Sequence, residues 1–189
     1  MNIDQWIVLY ANLTGGSSLW AGNVVLFLAE YFPYLVVVAF LYFAFKYGRH
    51  SLSVSPSKEG EKFRLIVEGI GAGIVARGFV ELIRFFIHRP RPFMDISSIV
   101  PLFSETSYSF PSGHASFFFA LSTVVYLYNK RWGAWFFVAS TVITLARVMA
   151  GVHYLSDIVG GAVLGITVGI LVRSLFHRIQ QRTSILSPR

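Results

Sequence analysis

The chain has 189 residues, of which 54% are hydrophobic and only 13% charged. A soluble domain carries about 25% charged residues, so the solvated surface of an ordinary globular protein is missing. Sixteen glycines and 16% aromatics complete the composition of a polytopic membrane protein. The absence of cysteine excludes a disulfide scaffold, thiolate-bound zinc and a cysteine nucleophile. The length fits a single domain over 1–189, with room for roughly five helical crossings.

In chain order, residues 3–13, with Trp6 and Tyr10, suit a short helix lying in the membrane interface. No basic region or small-residue cleavage site precedes them, and no cleavable signal peptide is expected. Residues 21–45 are apolar apart from Glu30 and Pro33. At about 1.5 Å per residue they reach about 38 Å, which predicts one kinked crossing. Two short helices there would move the N-terminus to the other side and leave the rest standing. Further spans are expected at 63–87, 111–128, 132–149 and 156–172. In the last, Gly161, Gly165 and Gly169 recur every four residues, a spacing that lets helices approach closely in lipid. The expected fold is all-α, a polytopic membrane helical bundle of five to six transmembrane helices plus an N-terminal interfacial helix.

The connections alternate between two faces. The loop 46–62, the turn 129–131 and the tail from 173 fall together and, with Arg64, hold 11 of the 16 lysines and arginines. That side is expected to be cytoplasmic, which places the N-terminus outside and the C-terminus inside. His50 and His177 fall on the same side and read as solvated. This distribution argues for a bilayer, and against nucleic acid, as the reason for the net charge of +7. The other five cations are Arg77, Arg84, Arg89, Arg91 and Arg147, all arginine and all within spans or at the outer face. A charge at bilayer depth costs at least about 2.5 kcal/mol, so an anion is expected to compensate them. Arg77, Glu81, Arg84 and His88 form one polar stripe on the second span, and Glu81 can pair with either arginine beside it.

Three clusters carry candidate chemistry: Arg84 to Pro92; Pro111-Ser112-Gly113-His114, which opens a helix; and Arg147, His153 and Asp157 around the junction of the last two spans. Crossing parity brings all three to the outer face. Arginine forks bind phosphate oxygens in bidentate fashion and stay charged, so Arg84, Arg91 and Arg147 can neutralise the equatorial oxygens of a phosphoryl transition state. Pro111 suits the first turn of a helix, where the N–H groups of Ser112, Gly113 and His114 would face an anion and Gly113 would let it approach closely. His153 with Asp157 four residues on reads as a nucleophile or base held by a carboxylate, with one ring nitrogen left to attack phosphorus. His114 can then protonate the leaving oxygen. His88 and Arg89 lie between the motif positions and could touch substrate or line the interface. Phe117, Phe118 and Phe119 read as packing or lipid-facing aromatics.

Arg84-x6-Arg91-Pro92, Pro111-Ser112-Gly113-His114 and Arg147-x5-His153-x3-Asp157 resemble the three signature motifs of the type-2 phosphatidic acid phosphatase (PAP2) superfamily. They stand in the family's order and at its internal spacings, across residues 84–157. Two positions depart from the pattern. Arg84 stands where the family has lysine, which keeps the charge and changes its reach. Ala146 stands where the family has serine, which removes a hydrogen bond worth about 1 kcal/mol. The resemblance implies a phosphohistidine at His153, protonation of the leaving group by His114, release by water, and no metal or other cofactor. No carboxylate cage for Mg²⁺ is evident near the motifs.

The short chain and the stretch from Ala29 to Pro33 look most like bacterial undecaprenyl pyrophosphate phosphatases. The substrate implied is therefore undecaprenyl pyrophosphate, a membrane lipid diphosphate, hydrolysed to undecaprenyl phosphate at the outer leaflet. Other lipid phosphates (phosphatidylglycerophosphate, phosphatidic acid, lipid A), phosphotransfer to a second lipid, and a non-catalytic lipid-phosphate binder or translocase are the alternatives.

Overall fold

The computed structural model describes residues 1–49 and 57–186, and among these every regular element is helical. His50 and Arg189, assigned to the cytoplasmic side by the charge pattern, lie outside them. Helix α1 (Ile3–Gly15) opens with a capping box: Asn2 accepts from the Gln5 N–H at 2.9 Å and the Gln5 side chain accepts from the Asn2 N–H at 3.0 Å. The reciprocal bonds satisfy two amides that the first turn leaves without partners.

Helix α2 (Leu19–Leu26) runs through a π-turn at Phe27–Tyr31 into α3 (Phe32–Arg49), so the first apolar stretch is one continuous helix. Its break is at the residues the sequence marks. Pro33 has no N–H to offer the Ala29 carbonyl four residues back, and the wide turn absorbs the missing bond.

Helix α4 (Ser57–Phe86) is followed by the short α5 (Pro92–Asp95), then α6 (Gly113–Tyr128), α7 (Lys130–Met149) and α8 (Leu155–Leu186). Among the described residues, three helical stretches have the length and hydropathy of a membrane span by themselves: Leu19–Tyr47, Lys130–Met149 and Leu155–Arg182. The sequence reading expects five. Charges at Glu68, Arg77, Glu81 and Arg84 interrupt the apolar character of α4, and α6 has only 16 residues. Both belong to the same bundle, because α6 packs against α4, α7 and α8 and is buried along most of its length. A helix surrounded by protein meets little lipid, which is why α6 can carry Ser116, Ser122 and Thr123 in its buried face. Ser122 and Ser140 join α6 to α7 through a 2.9 Å hydroxyl bond.

The α8 glycines are the contact surface with α6. A Cβ on Gly161 would lie 2.7 Å from the Ala115 methyl, and on Gly165 2.9 Å from the Ala120 nitrogen. On Gly169 it would lie 2.8 Å from the Thr123 Cβ. Close backbone approach of this kind supplies the dispersion contact that drives helix association in a bilayer.

At the far end of α4, buried Glu68 receives Arg64 at 3.4 Å and Arg173 at 3.2 Å. Two cations counted on the cytoplasmic face are therefore tied to a buried carboxylate. The same design recurs with opposite sign at the other end of the bundle.

Candidate active site

The site sits where α4, α6, α7 and the turn before α8 meet. Arg84, Arg91, Arg147, His153 and Asp157 are all buried. Arg84 closes α4 and donates to the Ser107 hydroxyl at 3.2 Å and the Pro111 carbonyl at 3.1 Å. Arg91, the N-cap residue of α5, donates to the Ser107 carbonyl at 2.7 Å and the Val152 carbonyl at 2.7 Å. Arg147, in the last turn of α7, donates to the Ala29 carbonyl at 3.2 Å and to Glu30 at 3.1 Å. Ala29 is the residue whose carbonyl Pro33 leaves without its helical donor, so the π-turn in the first span supplies an acceptor for Arg147. Each guanidinium is thus pinned by a backbone carbonyl from another segment.

The three motifs meet as crossing parity requires. Nε2 of His153 lies 3.4 Å from Arg91, and Nε2 of His114 lies 3.5 Å from Arg147. Nδ1 of His153 faces Oδ2 of Asp157 at 3.3 Å. That carboxylate also accepts the Tyr154 N–H at 2.8 Å, the Ser109 hydroxyl, and Arg89 at 2.7 Å through its other oxygen. Burial drives His153 down to a pKa of about 4; the hydrogen bond to Asp157 opposes this, and the charges of Arg91 and Arg147 add to it. At neutral pH the ring is uncharged, with Nε2 turned toward Arg91. Arg91 is lowered by burial to about 10, with Glu105 opposing, and remains a cation.

Two features of the second motif differ from the sequence reading. Helix α6 starts at Gly113 with Ser112 as N-cap, so Pro111 stands outside the helix and not in its first turn. The Ser112 hydroxyl accepts from the Ala115 N–H at 3.4 Å and its own N–H donates to the Asp157 carbonyl at 3.0 Å. Ser112 therefore joins two motifs and offers no outward N–H. Gly113 and His114 occupy the first two helical positions, where amides have no carbonyl behind them. The space above Gly113 holds the Arg77 guanidinium, whose Cζ would be 2.6 Å from a Cβ there.

Several participants lie outside the motifs. Glu105 spans Arg91, at 3.2 Å, and Arg147. Ser107 bonds both Arg84 and Arg91. Arg89 joins Asp157 to Asp4 of α1, at 2.8 Å, and Asp4 also accepts from the Ser156 hydroxyl. Arg89 is thus a clamp on the carboxylate, whereas His88 packs edge-on against Tyr108, its ring 4.7 Å away. Glu81 pairs with both Arg77, at 3.2 Å, and Arg84, at 3.3 Å. Ala146 is buried with Val25, Ala29, Ala150 and Val152. Nε of Arg84 and of Arg147 are buried donors with no hydrogen-bond partner among the described residues. Glu105 could have been suspected from sequence as the one acid in the loop 96–112 between the first two motifs. Beside the site a cavity of about 340 Å³ runs from Glu105 and His114 to an apolar wall of Phe117, Phe118 and Val37. No group of three His, Asp or Glu side chains among the described residues is placed to hold a metal ion.

A membrane bundle with clustered arginines and two histidines at one end defines a class of protein built to handle an anion at the edge of the bilayer. Residues 66–181 match the PAP2 superfamily, and the chain belongs to it. By class it is a membrane lipid phosphatase. It is 24% identical to the bacitracin transport permease protein BcrC of Bacillus licheniformis, over 96% of this chain and 90% of that one. It is 25% identical to an undecaprenyl-diphosphatase of Sulfolobus acidocaldarius, over 86% and 82% of the two chains. Its fold matches that of a transmembrane PAP2-type phosphatidylglycerolphosphate phosphatase from Bacillus subtilis with a TM-score of 0.66 at 20% identity, over 93% of this chain and 85% of that one.

Proposed function

We propose that the protein removes the terminal phosphate of undecaprenyl diphosphate at the outer face of the cell membrane, leaving undecaprenyl phosphate. One observation supports this above the others: the Nε2 atoms of His153 and His114 approach Arg91 and Arg147 at 3.4 and 3.5 Å, so a group lying between those guanidiniums has an imidazole on either side. The substrate's terminal phosphate takes the acceptor position that the Glu105 carboxylate holds between the two arginines. Arg84, Arg91 and Arg147, with the amides of Gly113 and His114, neutralise its oxygens.

Nε2 of neutral His153 attacks the terminal phosphorus. A nitrogen–phosphorus bond forms, the bridging phosphorus–oxygen bond breaks, and its electron pair leaves with the lipid phosphate, which takes a proton from His114. Asp157 stabilises the imidazolium character that develops on His153. His114, now deprotonated, takes a proton from water, which attacks the phosphohistidine and frees inorganic phosphate and neutral His153. No step calls on a metal ion.

The substrate assignment draws on the Sulfolobus relative's name and on the resemblance of Ala29 to Pro33. The outer-face assignment draws on the excess of Lys and Arg at the opposite connections. The Bacillus licheniformis relative's name points to transport, but a carrier needs only the cations, whereas a buried histidine held by a carboxylate suits nucleophilic attack. Purified protein in detergent, offered undecaprenyl diphosphate, phosphatidylglycerophosphate and phosphatidic acid, is expected to release phosphate fastest from the first. Faster release from a glycerolipid would overturn the substrate, and release from none of them would overturn the hydrolase.

A further inference from the structure

We propose that Arg77 forms a second anion subsite, which holds the lipid-proximal phosphate of a diphosphate substrate and so sets a preference for diphosphates over monophosphates. The proposal rests on the hydrolase reading above and adds a residue outside the three motifs.

Arg77 lies seven residues before Arg84, two turns back on the same face of α4. Its side chain is 46% exposed, unlike the buried Arg84, and it lines the cavity beside His114. The missing side chain of Gly113 gives its guanidinium a place against the first turn of α6, one residue from the histidine assigned to protonate the leaving group. Arg84, Arg91 and Arg147 are anchored to the Pro111, Val152 and Ala29 carbonyls and cannot follow a second phosphate outward.

The charge balance of the cavity points the same way. Its lining includes the carboxylates of Glu30 and Glu105, and Arg77 is the one lysine or arginine among the lining residues. Without Arg77 that side of the site would repel a second phosphate. Its ion-pair partner Glu81 is 54% exposed and also pairs with Arg84, so exchanging it for a phosphate costs little. Beyond the polar end, the wall of Tyr34, Val37, Phe117 and Phe118 suits the start of a hydrocarbon chain.

The chemistry gives that position a task. When the terminal phosphorus–oxygen bond of a diphosphate breaks, negative charge grows on the remaining phosphate, where a fixed guanidinium stabilises it. A monophosphate has no second phosphate to present there. Its leaving alkoxide depends on the His114 proton alone.

The test compares farnesyl diphosphate with farnesyl monophosphate, using the full chain purified in detergent as wild type, Arg77→Gln and Arg77→Lys. The ratio of kcat/KM for diphosphate over monophosphate is expected to fall at least about tenfold in Arg77→Gln and to stay within about threefold of wild type in Arg77→Lys. Equal losses on both substrates would mark Arg77 as structural and overturn the subsite, as would an unmoved ratio. Should Arg77→Gln fail to fold, inhibition of the wild type decides. Inorganic diphosphate is expected to inhibit at least about tenfold more tightly than orthophosphate, and equal inhibition overturns the subsite. A wild type that releases phosphate from neither farnesyl compound overturns the hydrolase reading itself.

Discussion

His153 shows how burial and hydrogen bonding divide the labour at one imidazole. The surrounding protein and two guanidiniums hold the ring neutral, while Asp157 at 3.3 Å orients it. The ring is protonated only below about pH 4. The limb of kcat/KM governed by His153 should therefore be present above that pH and lost as pH falls through about 4, well below an ordinary histidine at about 6.5. A pH–rate profile with a non-titrating substrate analogue checks this, and a limb near 6.5 would contradict it. His153→Ala should lower turnover by at least about 10³-fold with an unchanged far-ultraviolet dichroism spectrum, and an acid-quenched phosphoryl intermediate should disappear with it. Retained turnover would remove His153 as nucleophile. The motif residues were legible because their spacing is fixed within single helices and turns. The partners of Glu105, Ser107, Asp4 and Glu30 are not: loop 96–112 has no periodicity, and Asp4 stands far along the chain from Arg89. Local patterns do not encode which distant carboxylate meets which arginine.

At the scale of elements, the stripe of glycines on α8 and the break in the first span control how the motifs align. Gly165→Leu would drive a side chain into the α6 backbone near Ala120. It should destabilise the protein by about 1–3 kcal/mol and lower turnover together, since Ser112 on α6 bonds the Asp157 carbonyl on α8. A thermal melt in detergent paired with an activity assay tests this, and an unchanged melting temperature would count against close α6–α8 packing. Pro33→Ala returns a helical donor to the Ala29 carbonyl, in competition with Arg147. It should reduce turnover severalfold while raising the melting temperature or leaving it level, at most by about 3 kcal/mol of regained helix stability. Activity equal to wild type would show that the carbonyl is not needed. The glycine spacing and the irregularity at Glu30 and Pro33 can both be read directly from the sequence, though not its form as a π-turn. The sequence places the start of α6 two residues early, because Pro111 and Ser112 each favour a helix start and only the tertiary bond from Ser112 to Asp157 decides between them.

For the whole molecule, the separation of the Glu68 cluster from the arginine cluster gives the bundle two chemically different ends. The chain has no cysteine, so single replacements can report on each end. A membrane-impermeant maleimide applied to intact cells should label Ser98→Cys, exposed in the segment after α5, and should reach Lys130→Cys only after permeabilisation. The reverse pattern would place the site inside. Activity should persist in EDTA, and restoration by Mg²⁺ of a chelated, inactive sample would require a metal. The bundle class could be read from composition, and the charge asymmetry suggested an orientation. The central position of α6 could not, because its apolar run looks the same whether lipid or protein surrounds it.

The clasp of Arg89 on both Asp4 and Asp157 has a practical consequence for handling the protein. It couples the leading helix to the carboxylate behind His153, so a fusion partner placed ahead of Met1 is expected to disturb the candidate site. Helix α8 instead departs from that region and, over 32 residues, carries the chain about 48 Å away. Purification handles, fluorophores and immobilisation chemistry therefore belong on the trailing end.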